Sequence, residues 1–247
     1  MISVKKLFIL ILFICIFSLF SCGKEEFYYL PQMSEGSIFN RGIDGATIII
    51  PNISQNYAIG YRIYYRIYIS SHNSPSEILS GNDRRLVHQA LDNDFSFFEP
   101  ITNPTNVSVL TGLTTFRNRS YYELELSGVN MHDLLARGSI PANGITFEFS
   151  FPTETTDFPV LIYNNSSEFV LRRCTRDLIS PEPSNNLTFQ FSPQLNTSVN
   201  ADVAVSTGGS FAYVSMYIVL IGQNPENFTR MFSKPTHIGI FKLPAAN

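Results

Sequence analysis

Apolar and polar side chains alternate with a period of two along much of this chain. Ile145, Phe147, Phe149 and Phe151 are separated by Thr146, Glu148 and Ser150. Tyr122, Leu124 and Leu126 alternate with Tyr121, Glu123 and Glu125, and Leu187, Phe189 and Phe191 with Thr188 and Gln190. Successive strand side chains point to opposite faces, so this pattern means one buried face and one wet face, as in antiparallel sheets. It predicts strands over Ala46–Ile50, Tyr57–Ile69, Tyr121–Ser127, Ile145–Phe151, Pro159–Tyr163, Phe169–Cys174, Leu187–Ser192, Phe211–Ile221 and His237–Leu243. Clusters of Gly, Pro, Asn and Ser separate them. The expected fold is all-β, an antiparallel β-sandwich with a core rich in Phe and Ile.

Helical pattern is scarce. Asn82–Leu91 suits about three turns capped by Asn82 or Asp83, and Met131–Arg137 suits a shorter turn ending at Gly138. Both read as short helical insertions between strands. The polar stretch 22–44, broken by Pro31, Gly36 and Gly42, reads as a flexible tether. The β-sandwich domain is then 45–247, one body or two immunoglobulin-sized halves.

The first residues break the pattern. Lys5-Lys6 precede the apolar run Leu7–Phe20, interrupted only by Ser18, and Ser21-Cys22-Gly23 follow. A cationic start, an apolar stretch and a small residue at its end are the parts of a secretory signal, here 1–21. The run is shorter than the roughly 20 apolar residues of a membrane span. Leu19-Phe20-Ser21-Cys22 resembles the lipobox of bacterial lipoproteins. Phe20 stands where the strict pattern has a small or β-branched residue, so the likeness is to the relaxed form that some diderm bacteria, spirochaetes among them, tolerate. The resemblance covers the leader alone. It implies cleavage before Cys22, a diacylated sulfur and usually an acylated amino group, hence a lipid bilayer as partner. Gly23 stands where an inner-membrane retention residue such as Asp is found in some bacteria, which points to the outer membrane. The alternative is a plain signal peptide cut after Ser21.

Charge narrows the partners. The chain carries 17 basic and 20 acidic residues, and loss of Lys5 and Lys6 with a leader makes the remainder more acidic. Nucleic-acid binding needs a concentrated basic face, so no nucleic-acid partner is expected. Of 3 cysteines, Cys15 lies in the leader and Cys22 at its end, which leaves Cys174 without an intramolecular partner. Set in Phe169–Cys174, it reads as a buried thiol. Asn-X-Ser/Thr triplets, as at Asn52, Asn106, Asn118, Asn186, Asn196 and Asn227, are frequent in so asparagine-rich a chain. Under the lipoprotein resemblance they are not glycosylation sites.

Candidate chemistry is thin. His72, His88, His132 and His237 are scattered without the paired spacing of a zinc site, so no metal and no cofactor is expected. There is no nucleophile elbow, phosphate-binding loop or calcium loop. Glu123 and Glu125, two apart on one predicted strand, would place their Cβ atoms roughly 6–7 Å apart on one face. That spacing suits a glycosidase pair, although charge on the outward face of an amphipathic strand explains it more simply.

A candidate binding face lies on Tyr57–Ile69. Tyr61, Ile63, Tyr65, Ile67 and Ile69 share one side; Arg62, Tyr64, Arg66 and Tyr68 share the other. In Phe211–Leu220 the same alternation leaves Tyr213, Ser215 and Tyr217 outward. Tyr and Arg dominate contact surfaces because they join large area to directional hydrogen bonding. The plainer reading is that Arg62 and Arg66 pair across strands with Glu123 and Glu125, or that insertions near 82–93 cover the face. The Tyr57–Ile69 strand also resembles a central strand of fibronectin type III modules. These features favour a non-catalytic envelope lipoprotein acting through contact (adhesion, assembly or display), with a protein or glycan as ligand. A carbohydrate-binding sandwich and a Glu123/Glu125 hydrolase are the alternatives.

Overall fold

The computed structural model describes residues 28–70, 121–152, 157–173, 189, 202–204 and 210–244. The leader, Cys22, the helix expected over 82–91, Cys174 and most of the strand expected over 187–192 lie outside them.

The described chain is a β-sandwich of two sheets. Its strands are β1 (Ile38–Phe39), β2 (Gly45–Ile50), β3 (Ala58–Ser70), β4 (Tyr122–Glu123), β5 (Glu125–Leu126), β6 (Ile145–Ser150), β7 (Val160–Tyr163), β8 (Ser167–Arg172), β9 (Val203–Ala204), β10 (Phe211–Gln223), β11 (Arg230–Phe232) and β12 (Thr236–Lys242). One sheet has the order β1-β2-β6-β7-β8-β5. The other is built on the long antiparallel pair β3–β10. Along the free edge of β10 lie β11 and β12, and along that of β3 lie β4 and β9. Among the described residues every strand pairing is antiparallel except β3–β9.

The alternation seen in the sequence becomes the core. Ala46, Ile48 and Ile50 of β2 and Ile145, Phe147 and Phe149 of β6, with Phe151 beyond it, are buried from one sheet; Tyr61, Ile63, Tyr65 and Ile67 of β3 are buried from the other. They belong to one continuous cluster, in which Phe151 stacks on Phe241 of β12 with ring centroids 4.7 Å apart. Asn164 and Asn165 close the β7–β8 hairpin with φ of 50° and 55°. Asparagine tolerates that left-handed conformation, which primed hairpin turns require.

Two expectations change. The stretch over Tyr121–Ser127 is not one strand: β4 pairs with β3 and β5 with β8, so the chain passes from one sheet to the other at Leu124. The tether expected over 22–44 is body from Tyr28 onward. Leu30, Met33 and Ile38 are buried, β1 pairs with β2, and Thr236 donates a hydrogen bond to the Met33 carbonyl at 2.7 Å. The Pro and Gly residues read as flexibility are punctuation between buried side chains. The short turn expected over Met131–Arg137 is present as a one-turn helix, α1 (Met131–Leu134), capped by the Asn130 side chain and followed by a 3-10 turn at Arg137–Ser139. It lies against β3, where Tyr61 N–H donates to the Leu135 carbonyl at 3.0 Å. A Cβ on Gly60 would meet that same carbonyl oxygen at 2.5 Å, so the close approach needs glycine.

Candidate functional site

The candidate residues sit where the alternation places them, on the second face of the β3–β10 pair. Tyr68 is directly opposite Tyr213, Arg66 opposite Ser215, Tyr64 opposite Tyr217 and Arg62 opposite Val219. The structure brings them together, and it also covers much of the face. Tyr213 is fully buried and Tyr64 and Tyr217 nearly so, while Arg62, Arg66 and Tyr68 are half-buried. Nearly all of β10, from Ala212 to Ile221, is buried on both sides. The outward position expected for Tyr213 and Tyr217 is therefore corrected to an interior one. Tyr64, Tyr121, Tyr217 and Val219 form a second apolar cluster, with Phe232 packed on it.

At that cluster and its edge the phenols meet each other. The Tyr68 and Tyr121 hydroxyls are 3.1 Å apart, and the Tyr121 ring stands edge-on to Tyr217 with centroids 5.1 Å apart. Burial above all, and then the neighbouring phenols Tyr217 and Tyr68, push the Tyr121 hydroxyl well above its ordinary value. It stays protonated at neutral pH and serves as a hydrogen-bonding group. Across β10 the Tyr217 ring lies 4.8 Å from the His237 ring, whose Nε2 is 3.3 Å from the Ser215 hydroxyl.

The carboxylate pair comes apart. Glu123 faces β3, where its Oε1 is 3.0 Å from Nε of Arg62 and also contacts Nε2 of His132 on α1. Glu125 belongs to the other sheet, opposite Arg172. The change of sheet at Leu124 separates two side chains that a continuous strand would have held on one face. The cross-strand pairing expected for Arg62 with Glu123 is present.

One polar cluster had no signal in the sequence. Arg173, at the end of β8, and Asp202, before β9, are both buried. Arg173 Nε donates to Asp202 Oδ2 at 2.7 Å and its Nη2 donates to Oδ1, a bidentate pair. The Tyr65 hydroxyl donates to the same Oδ2 at 2.8 Å, and Phe189 stands edge-on to the Tyr65 ring. Ile67 N–H donates to the Asp202 carbonyl at 3.0 Å, which starts the parallel β3–β9 pairing. Arg173 and Asp202 are far apart in sequence and each resembles an ordinary surface residue, so only the fold reveals the pair. Its geometry is that of a structural clasp.

Among the described residues no group of three or more His, Cys, Asp or Glu is arranged to hold a metal ion, and no helix is long and apolar enough to cross a membrane. No family model matches the chain, and no curated protein or solved structure matches it either.

Proposed function

We propose that this chain is a lipid-anchored, non-catalytic envelope protein that works through contact: adhesion, assembly or display. The observation that carries the proposal is the order Lys5-Lys6, Leu7–Phe20, Ser21-Cys22, with the cysteine placed where a bacterial lipoprotein is acylated. Acyl chains contribute about 0.8 kcal/mol per buried methylene, so several on one residue hold a protein at a bilayer where a single chain would not. Leu30, the first buried residue among those described, follows Cys22 by eight positions, so an anchor at Cys22 would hold the body close to the bilayer.

The geometry of the candidate carboxylate weighs against catalysis. Glu123 is engaged by Arg62 and His132, and the phenols of Tyr64 and Tyr217 are packed in an apolar cluster. Carbohydrate platforms present aromatic faces to solvent, so the burial of Tyr64, Tyr213 and Tyr217 weighs against that alternative.

The test is Cys22→Ser in the full chain expressed in a bacterium that processes lipoproteins. The variant is expected to leave the detergent-soluble membrane fraction. If it fractionates as the parent does, the anchor is elsewhere and the proposal fails.

A further inference from the structure

Among the described residues the two most exposed large apolar side chains, Phe228 at 72% and Tyr29 at 69%, lie at the same pole of the sandwich. Hydrogen bonds join them in a short relay. The Tyr57 hydroxyl donates to the Tyr29 carbonyl at 2.7 Å, Gln223 N–H donates to the Tyr57 carbonyl at 2.9 Å, and the Gln223 side-chain amide donates to the Phe228 carbonyl at 3.0 Å. Ile59, 46% exposed, follows in the same strand end, and Tyr28 stands edge-on to Tyr57. Single exposed apolar residues are ordinary, but the two extremes of the described surface gathered at one pole are not.

Phe228 is held there against its backbone preference. Its φ is 58°, a left-handed conformation that is costly for a bulky residue. The turn between β10 and β11 enforces it. Phe228 N–H donates to the Asn224 carbonyl at 2.8 Å, Asn224 N–H donates to the Thr229 carbonyl at 2.9 Å, and the Asn227 side chain accepts from Thr229 N–H at 3.0 Å. Backbone strain of this kind collects at sites that use the side chain.

This pole is also where the chain arrives from its amino terminus. Tyr28 follows Cys22 by six positions, which span at most roughly 20 Å at about 3.3–3.6 Å per residue. The partner nearest at hand is therefore the bilayer itself. Amphipathic rings such as Tyr gather at membrane–water interfaces, where the ring meets the acyl boundary and the polar end meets headgroups. Arg137, which donates to the Asn56 carbonyl at 2.7 Å, and Arg230, paired with Gln223 across the hairpin, set two positive charges around the aromatic pole against one negative charge from the exposed Glu226 in the β10–β11 turn.

We infer that the sandwich docks on the lipid surface through this pole, with Phe228 and Tyr29 entering the interface, and so stands with a fixed orientation instead of swinging on its anchor. The inference rests on acylation at Cys22. Docking leaves the far end of the body pointing away from lipid. Phe158 marks that end: it lies in the β6–β7 connection, beyond Phe151, which stacks on Phe241 level with Val214 and Ile67. That level is about 30 Å along the strands from Ala58 and Gly222, taking about 3.3 Å per residue.

The chain contains no tryptophan, so one introduced indole reports alone. The full acylated protein, carrying Phe228→Trp, Tyr29→Trp or Phe158→Trp, is placed on phosphatidylcholine/phosphatidylglycerol vesicles with or without brominated acyl chains. Flotation reads anchoring and fluorescence reads docking. Docking predicts that emission from positions 228 and 29 shifts to the blue and loses most of its intensity in brominated vesicles, while emission from position 158 does not. Protein that floats but is quenched no more at 228 and 29 than at 158 overturns docking and leaves anchoring intact. Protein that does not float overturns the anchoring on which docking rests. Two reporters at the pole guard against one substitution disturbing the turn.

Discussion

Tyr65 and Arg173 share one oxygen: the phenol and the guanidinium Nε both donate to Oδ2 of the buried Asp202, at 2.8 Å and 2.7 Å. The carboxylate thereby joins β3, the end of β8 and the start of β9, and so couples the two sheets. Taking both charges out of water is costly, and the bidentate geometry with a third donor offsets that cost. Removing one partner strands the other. Asp202→Ala is expected to destabilise the fold by about 3–5 kcal/mol, because Arg173 is left charged and buried. Tyr65→Phe, which removes one donor, is expected to cost about 1–3 kcal/mol. Urea unfolding of the variants measures both, and a loss below 1 kcal/mol for Asp202→Ala would show that water reaches the pair.

The Arg62–Glu123 pair has the same chemistry in a wetter place, with side chains 16% and 21% exposed. Solvent screens it, so Glu123→Gln is expected to change stability by about 1 kcal/mol or less. Set beside Asp202→Ala in the same unfolding assay, it separates a partly exposed pair from a core clasp.

Alkali should weaken the fold through its phenols. Burial raises the Tyr61 hydroxyl to about 12, and burial with the neighbouring Tyr217 and Tyr68 raises Tyr121 well above 10. The unfolded chain ionises these groups near pH 10, so above that the native state binds more protons and stability falls as pH rises. The contribution is full below about pH 10 and is lost progressively from there through about pH 12. Tyr121→Phe is expected to flatten part of this decline. An unchanged pH slope for Tyr61→Phe and Tyr121→Phe alike would contradict it.

Phe228 offers a test of retained strain. Replacing it with glycine, which adopts positive φ freely, is expected to raise stability by about 1 kcal/mol even though an aromatic ring is lost. Thermal unfolding of Phe228→Gly measures this, and a lower midpoint would mean that the ring packs more than its exposure indicates.

Much of the sandwich is legible in the sequence because a half-buried strand writes its burial at every second residue. Ile145–Phe151 and Ala46–Ile50 read in this way. Alternation fails where both faces are covered. Tyr213 and Tyr217 carry hydroxyls, which mark them as outward, yet β10 lies between the core and a second cluster and buries them. Short edge strands such as β1, β9 and β11 have too few residues to show a period. The switch at Leu124 keeps the alternation of Tyr121–Leu126 intact while moving half of it to another sheet, so the pattern alone misplaced Glu125 beside Glu123. Of the candidate face, the grouping of Arg62, Tyr64, Arg66 and Tyr68 was readable from one strand. The Arg173–Asp202 clasp joins separate segments and could emerge only with the fold.

Anchoring is the claim from which contact function and docking both descend, and the mass of the mature amino terminus tests it most directly. Protein purified from membranes, cleaved and examined by mass spectrometry, is predicted to begin at Cys22 with acyl chains on that residue. A retained leader, or a terminus at Cys22 without lipid, would contradict it.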